Sequence, residues 1–349
     1  MDGAIEFSSN VPRFIPRTGI RRAMKIGHGI ILGGIIAVMA TGFTFLPTGI
    51  SWAIFFVSLT VLVFHFLIIF GKSMVSLNER YETMDYSGLV KNSFTFTSKS
   101  DGLELPGYSY HREGLDRSAG QFPAIISFHG WGASHVEMDR YILPMVREND
   151  IVYYTLDQRG SAPPFTGGDK NDHLNGIEDA NQFLDLVIKQ PDVDVERVLV
   201  VGMSMGSFLT LKVAYPDPRV KAVVVMAPPV DINLTLQEMP LGTKLGFKLF
   251  GFKLKITGMS PSELSPLACL ERDGIPDGNG KRVPNKERVL MFHARDDRIV
   301  SFKNSEIAKD ILALPSENVV FFDRGDHWLV GNETYITLIM SKFLTKHLA

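Results

Sequence analysis

The stretch VLVVGMSMGSFLTL, residues 198–211, decides the fold of this chain. Four aliphatic residues run directly into the pentapeptide GMSMG at 202–206, which has Ser204 at its centre. A short apolar run that ends at glycine predicts a buried strand, and the segment after Ser204 predicts the start of a helix. A serine between glycines at such a turn can be displayed as a nucleophile, but a tight turn that only needs small residues gives the same pattern. The pentapeptide alone leaves both possibilities open.

Length, charge and cysteine content narrow the class of protein. The chain has 349 residues, which allow one large domain or a domain with an accessory segment. Its net charge is only −2, whereas nucleic-acid binding calls for a basic excess, so we expect no nucleic-acid partner. The single cysteine, Cys269, excludes a disulfide within the chain and fits a reducing compartment.

Two long apolar runs near the N-terminus predict a transmembrane hairpin. Residues 26–46 and residues 50–70 carry no Asp, Glu, Lys or Arg, and each run is 21 residues long. At about 1.5 Å per helical residue, each run spans roughly the 30 Å hydrocarbon core of a bilayer. A cleaved signal peptide is the alternative for the first run, but a second run follows too closely to favour it. The domain prediction is a basic segment at 1–25, the hairpin at 26–70 and a linker at 71–88.

The charges that flank these runs predict their orientation. The residues before the first run include five cations, and the connection at 47–49 has none; the cations are Arg13, Arg17, Arg21, Arg22 and Lys25. Lys72 and Arg80 follow the second run. Because positive residues stay on the cytoplasmic side, we expect both chain ends, and the domain that follows, to face the cytoplasm.

Residues 89–349 alternate between strand and helix patterns and predict an α/β domain. The segments 90–98 and 103–111 are expected to pair as a hairpin. Further buried strands are predicted at 124–128, 151–156, 198–201, 220–226, 288–292 and 318–322. The clearest helix is predicted at 176–189. This alternation implies a mostly parallel sheet, in which ligands bind outside the carboxyl ends of the strands.

Candidate partners for Ser204 follow the ends of other strands. A serine nucleophile needs a base, and the base needs a group that holds its tautomer. Asp296 and Asp297 follow one predicted strand, and His327 follows the next, so the chain order is Ser, Asp, His. The glycine-containing turn at 129–132 can aim backbone N–H groups at an oxyanion, together with the N–H of Met205.

These segments together resemble the α/β-hydrolase superfamily over roughly residues 89–349, in particular its prolyl-oligopeptidase, dienelactone-hydrolase and monoacylglycerol-lipase-like branches. The similar segments are His-Gly-Trp-Gly at 129–132, Asp-Gln-Arg-Gly at 157–160 and Gly-Met-Ser-Met-Gly at 202–206. The resemblance implies a triad of Ser204, Asp297 and His327, with Asp297 preferred to Asp296. It also implies the N–H groups of Trp131 and Met205 as the oxyanion hole.

The other conspicuous polar residues are expected to have structural roles. One departure from the family pattern is Ser207, where a glycine often stands, and we expect it to affect helix packing more than chemistry. Local structural roles, outside the reaction, are predicted for His129, Asp157, Arg159 and His293.

A cap insertion is predicted at about 231–286, because this connection is far longer than a crossover needs. Within it, residues 241–255 have a basic, aromatic-rich amphipathic pattern with Lys244, Lys248 and Lys255 aligned. Such a segment can lie on an anionic membrane surface, but an ordinary cap helix with solvated lysines explains the pattern equally.

The sequence therefore predicts a membrane-anchored serine hydrolase that cleaves carboxylic esters through an acyl-enzyme. The expected partners are a lipid bilayer and a small acyl ester, preferably lipid-derived, and no cofactor or metal is expected. A serine peptidase, a thioesterase or acyltransferase of the same fold, and a non-catalytic membrane-tethered binding protein are the alternatives. The oligomeric state stays open.

The predicted orientation can be tested by reporter fusions or cysteine accessibility. We expect both Met1 and Ala349 to be cytoplasmic, because the cations that flank the two runs hold both ends on that side. Glycosylation at Asn233, or an external C-terminus, would contradict the orientation.

Overall fold

The computed structural model describes residues 50, 52–53, 55–61, 84–161, 166–241, 243–244, 260–270, 275–276, 282–283 and 286–348. The described residues from Tyr86 onward belong to one compact unit, and those between Ile50 and Asp85 belong to another.

The described part of the N-terminal unit is a short apolar helical stretch. Residues 55–61 are helical, and the side chains of Phe56 and Val57 are largely exposed. Among the described residues, no helix has both the length and the apolar character needed to cross a bilayer. The predicted spans at 26–46 and 50–70 lie mostly outside the described residues, so the hairpin stays a prediction.

An eight-stranded, mostly parallel sheet organises the larger unit, as the sequence predicts. Its order is β1-β2-β4-β3-β5-β6-β7-β8, with β2 antiparallel to both β1 and β4 and all other neighbours parallel. Consecutive residues of β3 and β6 are buried, which means that both faces of the sheet are covered. The strands are β1 (Leu89–Thr97), β2 (Glu104–Arg112), β3 (Phe122–Phe128), β4 (Val152–Leu156), β5 (Val193–Met203), β6 (Val220–Met226), β7 (Val289–Ala294) and β8 (Val319–Phe322).

The helices in the connections cover the two faces. Helix α1 packs with α8, and α2 packs with the π-helical turn Thr210–Ala214 that continues α3. The described helices are α1 (Val136–Glu148), α2 (His173–Ile188), α3 (Met205–Leu209), α4 (Ile232–Glu238), α5 (Pro261–Leu264), α6 (Leu267–Leu270), α7 (Lys303–Leu312) and α8 (Glu333–Leu348). Helix α2 begins three residues before the predicted start, because the Asp172 side chain accepts the N–H of Asn175 and caps the helix there.

The predicted cap region is described only in part. It contains α4, α5 and α6 and a two-stranded ribbon formed by Ile275–Pro276 and Arg282–Val283. Of the amphipathic segment 241–255, the structure describes residues 241, 243 and 244. Lys244 donates to the carbonyl oxygen of Gln237 at 3.1 Å, and the membrane-surface hypothesis for the segment stays a prediction.

A buried carboxyl group fixes α1 against the sheet. Asp139 is fully buried and accepts hydrogen bonds from the hydroxyl groups of Tyr86, Tyr110 and Tyr153 at 3.1–3.2 Å. Burial raises the pKa of Asp139 from 3.8 to about 6, although the nearby charge of His135 and these hydrogen bonds act in the opposite direction. This cluster matters for the site because the first turn of α1 also carries Glu137, described below.

The raised pKa of Asp139 predicts a pH-dependent stability. Between about pH 4 and pH 6 the unfolded carboxyl ionises before the folded one, so the native state binds more protons and its stability falls as pH rises. Asp139→Asn should remove this dependence. Its free energy of unfolding, relative to that of wild type, should therefore increase by about 1 to 3 kcal/mol as pH rises through that range. Denaturant unfolding of both proteins at several pH values measures the difference. Parallel stability curves would contradict the assignment.

Candidate active site

The turn after β5 holds Ser204 in a strained backbone conformation. Its φ is 53° and its ψ is −115°, a region that residues other than glycine rarely adopt. The glycines on either side are required sterically. A Cβ on Gly202 would lie 2.3 Å from the carbonyl oxygen of Gly206, and one on Gly206 would lie 1.9 Å from the carbonyl oxygen of Phe128. Close packing of the GMSMG turn, which we call the elbow (residues 202–206), therefore holds Ser204 in its strained conformation.

Ser207 fastens the elbow to the neighbouring strand. Its hydroxyl oxygen lies 2.7 Å from the carbonyl oxygen of Gly202 and 2.8 Å from that of Met226, and it accepts the N–H of Met226 at 2.9 Å. The side chain is fully buried. The sequence predicts an effect of Ser207 on helix packing; in the structure its hydrogen bonds join the elbow to the carboxyl end of β6.

The structure brings Ser204, His327 and Asp297 into one hydrogen-bonded chain. The Nε2 atom of His327 lies 2.7 Å from the Oγ atom of Ser204, and its Nδ1 atom lies 2.8 Å from the Oδ2 atom of Asp297. Each residue follows the carboxyl end of a different strand: Ser204 follows β5, Asp297 follows β7 and His327 follows β8. This geometry allows His327 to accept the hydroxyl proton of Ser204 while Asp297 holds the ring.

The carboxyl group of Asp297 is saturated with hydrogen bonds. Its Oδ1 atom accepts the N–H groups of Ile299 and Val300 at 2.7 and 3.0 Å, and its Oδ2 atom faces both His327 and His293. Burial alone would raise its pKa, but the charge of His327 and the hydrogen bonds from the two histidines outweigh burial. The pKa of Asp297 consequently lies well below its ordinary value.

The pKa of His327 shifts in the complementary direction. Burial by itself would lower it, but the negative charge of Asp297 and its hydrogen bond raise the pKa of His327 above the ordinary value. Asp297 therefore stabilises the protonated imidazole that proton transfer from Ser204 would produce.

Asp296 and His293, the neighbouring acid and histidine, contact other groups. Asp296 accepts the N–H groups of Gly325 and Asp326 at 2.9 and 2.8 Å, so it braces the loop that carries His327. His293 is fully buried, and its Nδ1 atom lies 2.7 Å from the Oγ atom of Ser305. The geometry thus places Asp297 against His327, and it places His293 behind Asp297 as a second support.

The predicted anion loop lies beside the elbow. The position of a Cβ on Gly130 is 3.5 Å from the Cβ atom of Ser204, and the close contact of Gly206 with Phe128 joins the elbow to the start of the loop. Met205 is the first residue of α3, where a helix leaves its N–H groups without intrahelical partners. The backbones of Trp131 and Met205, the predicted oxyanion donors, therefore lie on segments that pack directly together.

Glu137 is a site residue that the sequence patterns did not single out. It is 2% exposed, and its Oε2 atom accepts the N–H of Gly130 at 2.6 Å. This bond takes one N–H of the loop out of the space around Ser204 and fixes the loop before Trp131. No motif marks this acid, because it lies on α1 and its contact depends on how that helix packs.

Other predicted structural residues brace the loops around the site. His129 is buried, and its ring nitrogens face the carbonyl oxygen of Gly130 and the N–H of Gln158. Asp157 accepts from the backbone and ring of His135 at 2.7 and 2.9 Å. Arg159 pairs with Asp179 and Asp101 at 2.8 and 3.0 Å.

Sequence comparisons relate this chain to known hydrolases. Residues 121–266 match the family described as serine aminopeptidase, S33. Esterase EstD of Thermotoga maritima is 26% identical over 313 residues, which are 78% of this chain and 73% of that protein. The 20-hydroxy-prefusarin hydrolase FUS2 of Gibberella moniliformis is 27% identical over 143 residues, which are 40% of this chain and only 34% of that protein.

Solved structures share the architecture at low sequence identity. An acetyl xylan esterase from Paenibacillus sp. R4 matches 76% of this chain and 86% of its own with a TM-score of 0.56 and 18% identity. The Pyrococcus horikoshii acylaminoacyl peptidase matches 75% of this chain and 42% of its own with a TM-score of 0.54 and 18% identity. The chain has the α/β-hydrolase fold. In this fold a nucleophilic serine lies on a sharp, strained turn between a strand and a helix, and Ser204 occupies such a turn after β5. The sequence matches support hydrolase chemistry of the esterase type.

The contact of Glu137 with the site predicts a change in the pH profile. The neutral ring of His327 is the form that accepts a proton, so activity should fall as pH drops through its pKa. Asp297, Glu137 and Asp326 all raise this pKa. Glu137→Gln keeps an acceptor for Gly130 but removes the charge, so the acid limb of kcat on a soluble ester should move to lower pH.

Glu137→Ala also removes the hydrogen bond that holds the loop. We expect it to lower kcat by at least about tenfold beyond the Gln variant, because a displaced loop misaligns the oxyanion donors. Glu148→Gln, at the exposed end of the same helix, serves as the matched control. An acid limb that is the same in wild type and Glu137→Gln would show that this charge does not act on His327.

Proposed function

We propose that this protein is a serine hydrolase that cleaves carboxylic esters through an acyl-enzyme intermediate. The observation that carries the proposal is the hydrogen-bonded chain from Ser204 through His327 to Asp297 at the carboxyl edge of the sheet. The strained serine backbone and the saturated carboxyl group support it, because both hold reactive groups in fixed positions. The esterase relatives support the same chemistry.

The reaction follows from the contacts. The Nε2 atom of His327 takes the proton of Ser204 as its Oγ atom attacks the ester carbonyl carbon, and a tetrahedral oxyanion forms. The imidazolium then donates that proton to the leaving alkoxide, which departs as the alcohol, and the acyl group stays on Ser204. Water next attacks the acyl-enzyme as His327 takes its proton. Collapse of the second tetrahedral intermediate releases the acid and returns the proton to Ser204.

The backbone around the site stabilises both oxyanions in this scheme. The N–H groups of Met205 and Trp131 supply the two donors, and the Gly206 contact with Phe128 keeps the two segments at a fixed separation. The N–H of Gly130 is committed to Glu137 and therefore does not compete for the oxyanion. Removal of one such donor in a serine hydrolase costs about a hundredfold or more in kcat.

A lipid-derived ester, such as a monoacylglycerol or a lysophospholipid, is the substrate class that we propose. The support is the pair of long uncharged runs at 26–46 and 50–70, which would hold the catalytic unit at the cytoplasmic face of a bilayer. The exposed apolar side chains at Trp52, Phe56 and Val57 are consistent with a membrane environment for that segment.

Peptide hydrolysis is the second candidate function. The family matched by residues 121–266 is described as a serine aminopeptidase, and an acylaminoacyl peptidase is among the structural neighbours. The same triad geometry can cleave amides, in which case His327 would protonate an amine leaving group. The substrate panel described next separates the two functions.

The catalytic proposal can be tested with the full-length protein and a panel of acyl esters, thioesters and peptides. Ser204→Ala, His327→Ala and Asp297→Asn should each lower kcat on the best ester by about a thousandfold or more, and their losses should not add because the three residues act as a unit. Ser204→Ala should also abolish labelling by a fluorophosphonate probe.

The neighbouring acid provides the matched control for Asp297. Asp296→Asn should retain a larger share of activity, because Asp296 contacts backbone N–H groups of the His327 loop and not the ring. Full activity of Ser204→Ala would refute the mechanism. Faster turnover of peptides than of every ester would favour the peptidase.

A further inference from the structure

A second histidine lies behind the acid of the site. The Nε2 atom of His293 is 3.0 Å from the Oδ2 atom of Asp297, the same oxygen that faces the Nδ1 atom of His327 at 2.8 Å. His293 is the penultimate residue of β7, and its side chain is fully buried. One carboxylate oxygen therefore receives the rings of two histidines, and the ring of His327 is the one that reaches Ser204.

The neighbours of the His293 ring decide which of its nitrogens carries a proton. Its Nε2 atom faces two acceptors, the Oδ2 atom of Asp297 and the carbonyl oxygen of Val300 at 3.1 Å, so Nε2 is the N–H that donates to them. Its Nδ1 atom lies 2.7 Å from the Oγ atom of Ser305. Because this hydroxyl has no other acceptor among the described residues, we assign its proton to the hydrogen bond with Nδ1 of a neutral ring.

The turn after β7 closes around this donor. The N–H of Val300 donates to the Oδ1 atom of Asp297, and the carbonyl oxygen of the same residue accepts from His293. The N–H of Ile299 also donates to Oδ1. Each oxygen of the carboxyl group thus has two donors, and a rotation of the group would break hydrogen bonds on both sides.

Aromatic and helical contacts hold the His293 ring and its hydroxyl partner. The ring of Phe302 packs edge to face against His293, with 5.7 Å between the ring centres. Ser305 lies in the first turn of α7 and is fully buried. The preceding residue, Asn304, is also fully buried and donates to the Oγ1 atom of Thr235 on α4 at 3.1 Å. This bond ties α7 to the cap region, so Ser305 meets His293 at a fixed place.

A second donor on Oδ2 has two consequences for proton transfer. It holds the acceptor of His327 in place, which keeps that ring aimed at Ser204. It also shares the negative charge of Oδ2, so less of this charge stabilises the protonated ring of His327. The hydrogen bond from His293 is one of the contacts that lower the pKa of Asp297, which is consistent with this sharing.

We propose that His293 is a positioning residue of the reaction, which aims Asp297 and limits the proton affinity of His327 through the shared carboxylate oxygen. The inference rests on the proposed function, because it needs His327 as the base that activates Ser204. His293 acts through Asp297 and does not touch the reacting atoms. Its loss should therefore change kcat and the pH profile, and it should leave KM nearly unchanged.

Two amides of different length test the donor. A glutamine can place its amide nitrogen near the Nε2 position, so His293→Gln keeps a donor for Asp297. An asparagine reaches only to the Nδ1 position, so His293→Asn loses that donor. On a soluble ester, His293→Asn should lower kcat by about tenfold and move the acid limb of kcat to higher pH by about 0.5 to 1 pH unit, the equivalent of one hydrogen bond. His293→Gln should restore the wild-type limb and most of kcat.

The direction of this shift follows from the charges around His327. Glu137 and Asp326 also raise its pKa, and both stay in place in these variants. Without the second donor, Asp297 lends its charge to His327 alone, so the neutral ring that accepts a proton forms at higher pH. His111→Asn is the matched control, because it removes another buried histidine on β2, at the other side of the sheet. Its limb and kcat should equal those of wild type.

A second variant tests the same bond without altering the ring. The Ser305 hydroxyl strengthens the Nε2–H donor of His293, because linked hydrogen bonds polarise one another. Ser305→Ala should therefore move the acid limb in the same direction as His293→Asn, by a smaller amount. An acid limb at the wild-type position in every folded variant, or an equal shift in His293→Gln and His293→Asn, would overturn the inference.

The pKa of His327 can also be measured without turnover. An NMR titration of the full-length protein with isotope-labelled histidine gives this pKa, and His327→Ala assigns the signal. His293→Asn should raise it by the same amount as the limb. If esters are hydrolysed but neither the pKa nor the limb moves, the inference is wrong and the proposed function stands. If the pKa moves as expected but no ester is hydrolysed, the role of His293 stands and the proposed function is wrong.

Discussion

The contact of Gly206 with the carbonyl oxygen of Phe128 is the constraint on which the site depends. No side chain fits there, since a Cβ would lie 1.9 Å from that oxygen. The contact brings the turn after β5 against the end of β3, so Ser204 and the loop at 129–132 share one edge of the sheet. Ser207 then joins the same turn to β6. Three adjacent strands thus position Ser204 independently of His327 and Asp297, and this surrounding structure maintains the unfavourable φ of the serine.

The second half of the site is an electrostatic arrangement built around one carboxyl group. Asp297 receives two backbone N–H groups at one oxygen and faces two histidines at the other. Because its negative charge is so well stabilised, its pKa is low, and the same charge raises the pKa of His327. The interaction between Asp297 and His327 contributes to both pKa shifts. The loop that carries His327 is in turn held by Asp296, so adjacent acids have separate tasks: one orients the ring and the other orients the backbone.

Most of the fold was predictable because its central strands are buried on both faces and the turn at 202–206 carries glycine at sterically fixed positions. The predicted strand 220–226 agrees with β6 at both ends, and the others differ by a few residues. The chain order of serine, acid and histidine predicted which loops meet. Glu137 could not be found in this way, because its role depends on the packing of α1 through Asp139 and three tyrosines that are distant in sequence. The unpaired atoms of His173 and Asp179 were hidden for the same reason, since a lack of partners shows only in three dimensions.

Buried polar groups among the described residues differ in how completely the protein satisfies their hydrogen bonds. Around Asp139 and Asp297, every carboxyl oxygen has a hydrogen-bond donor within the described structure. These contacts outweigh desolvation at Asp297, whose pKa is lowered, but not at Asp139, whose pKa is raised. Among the described residues, His173 and Asp179 each have one buried side-chain atom without a hydrogen-bond partner. Asp179 holds Arg159 with its other oxygen, so an apolar residue in its place would take a partner from a buried cation.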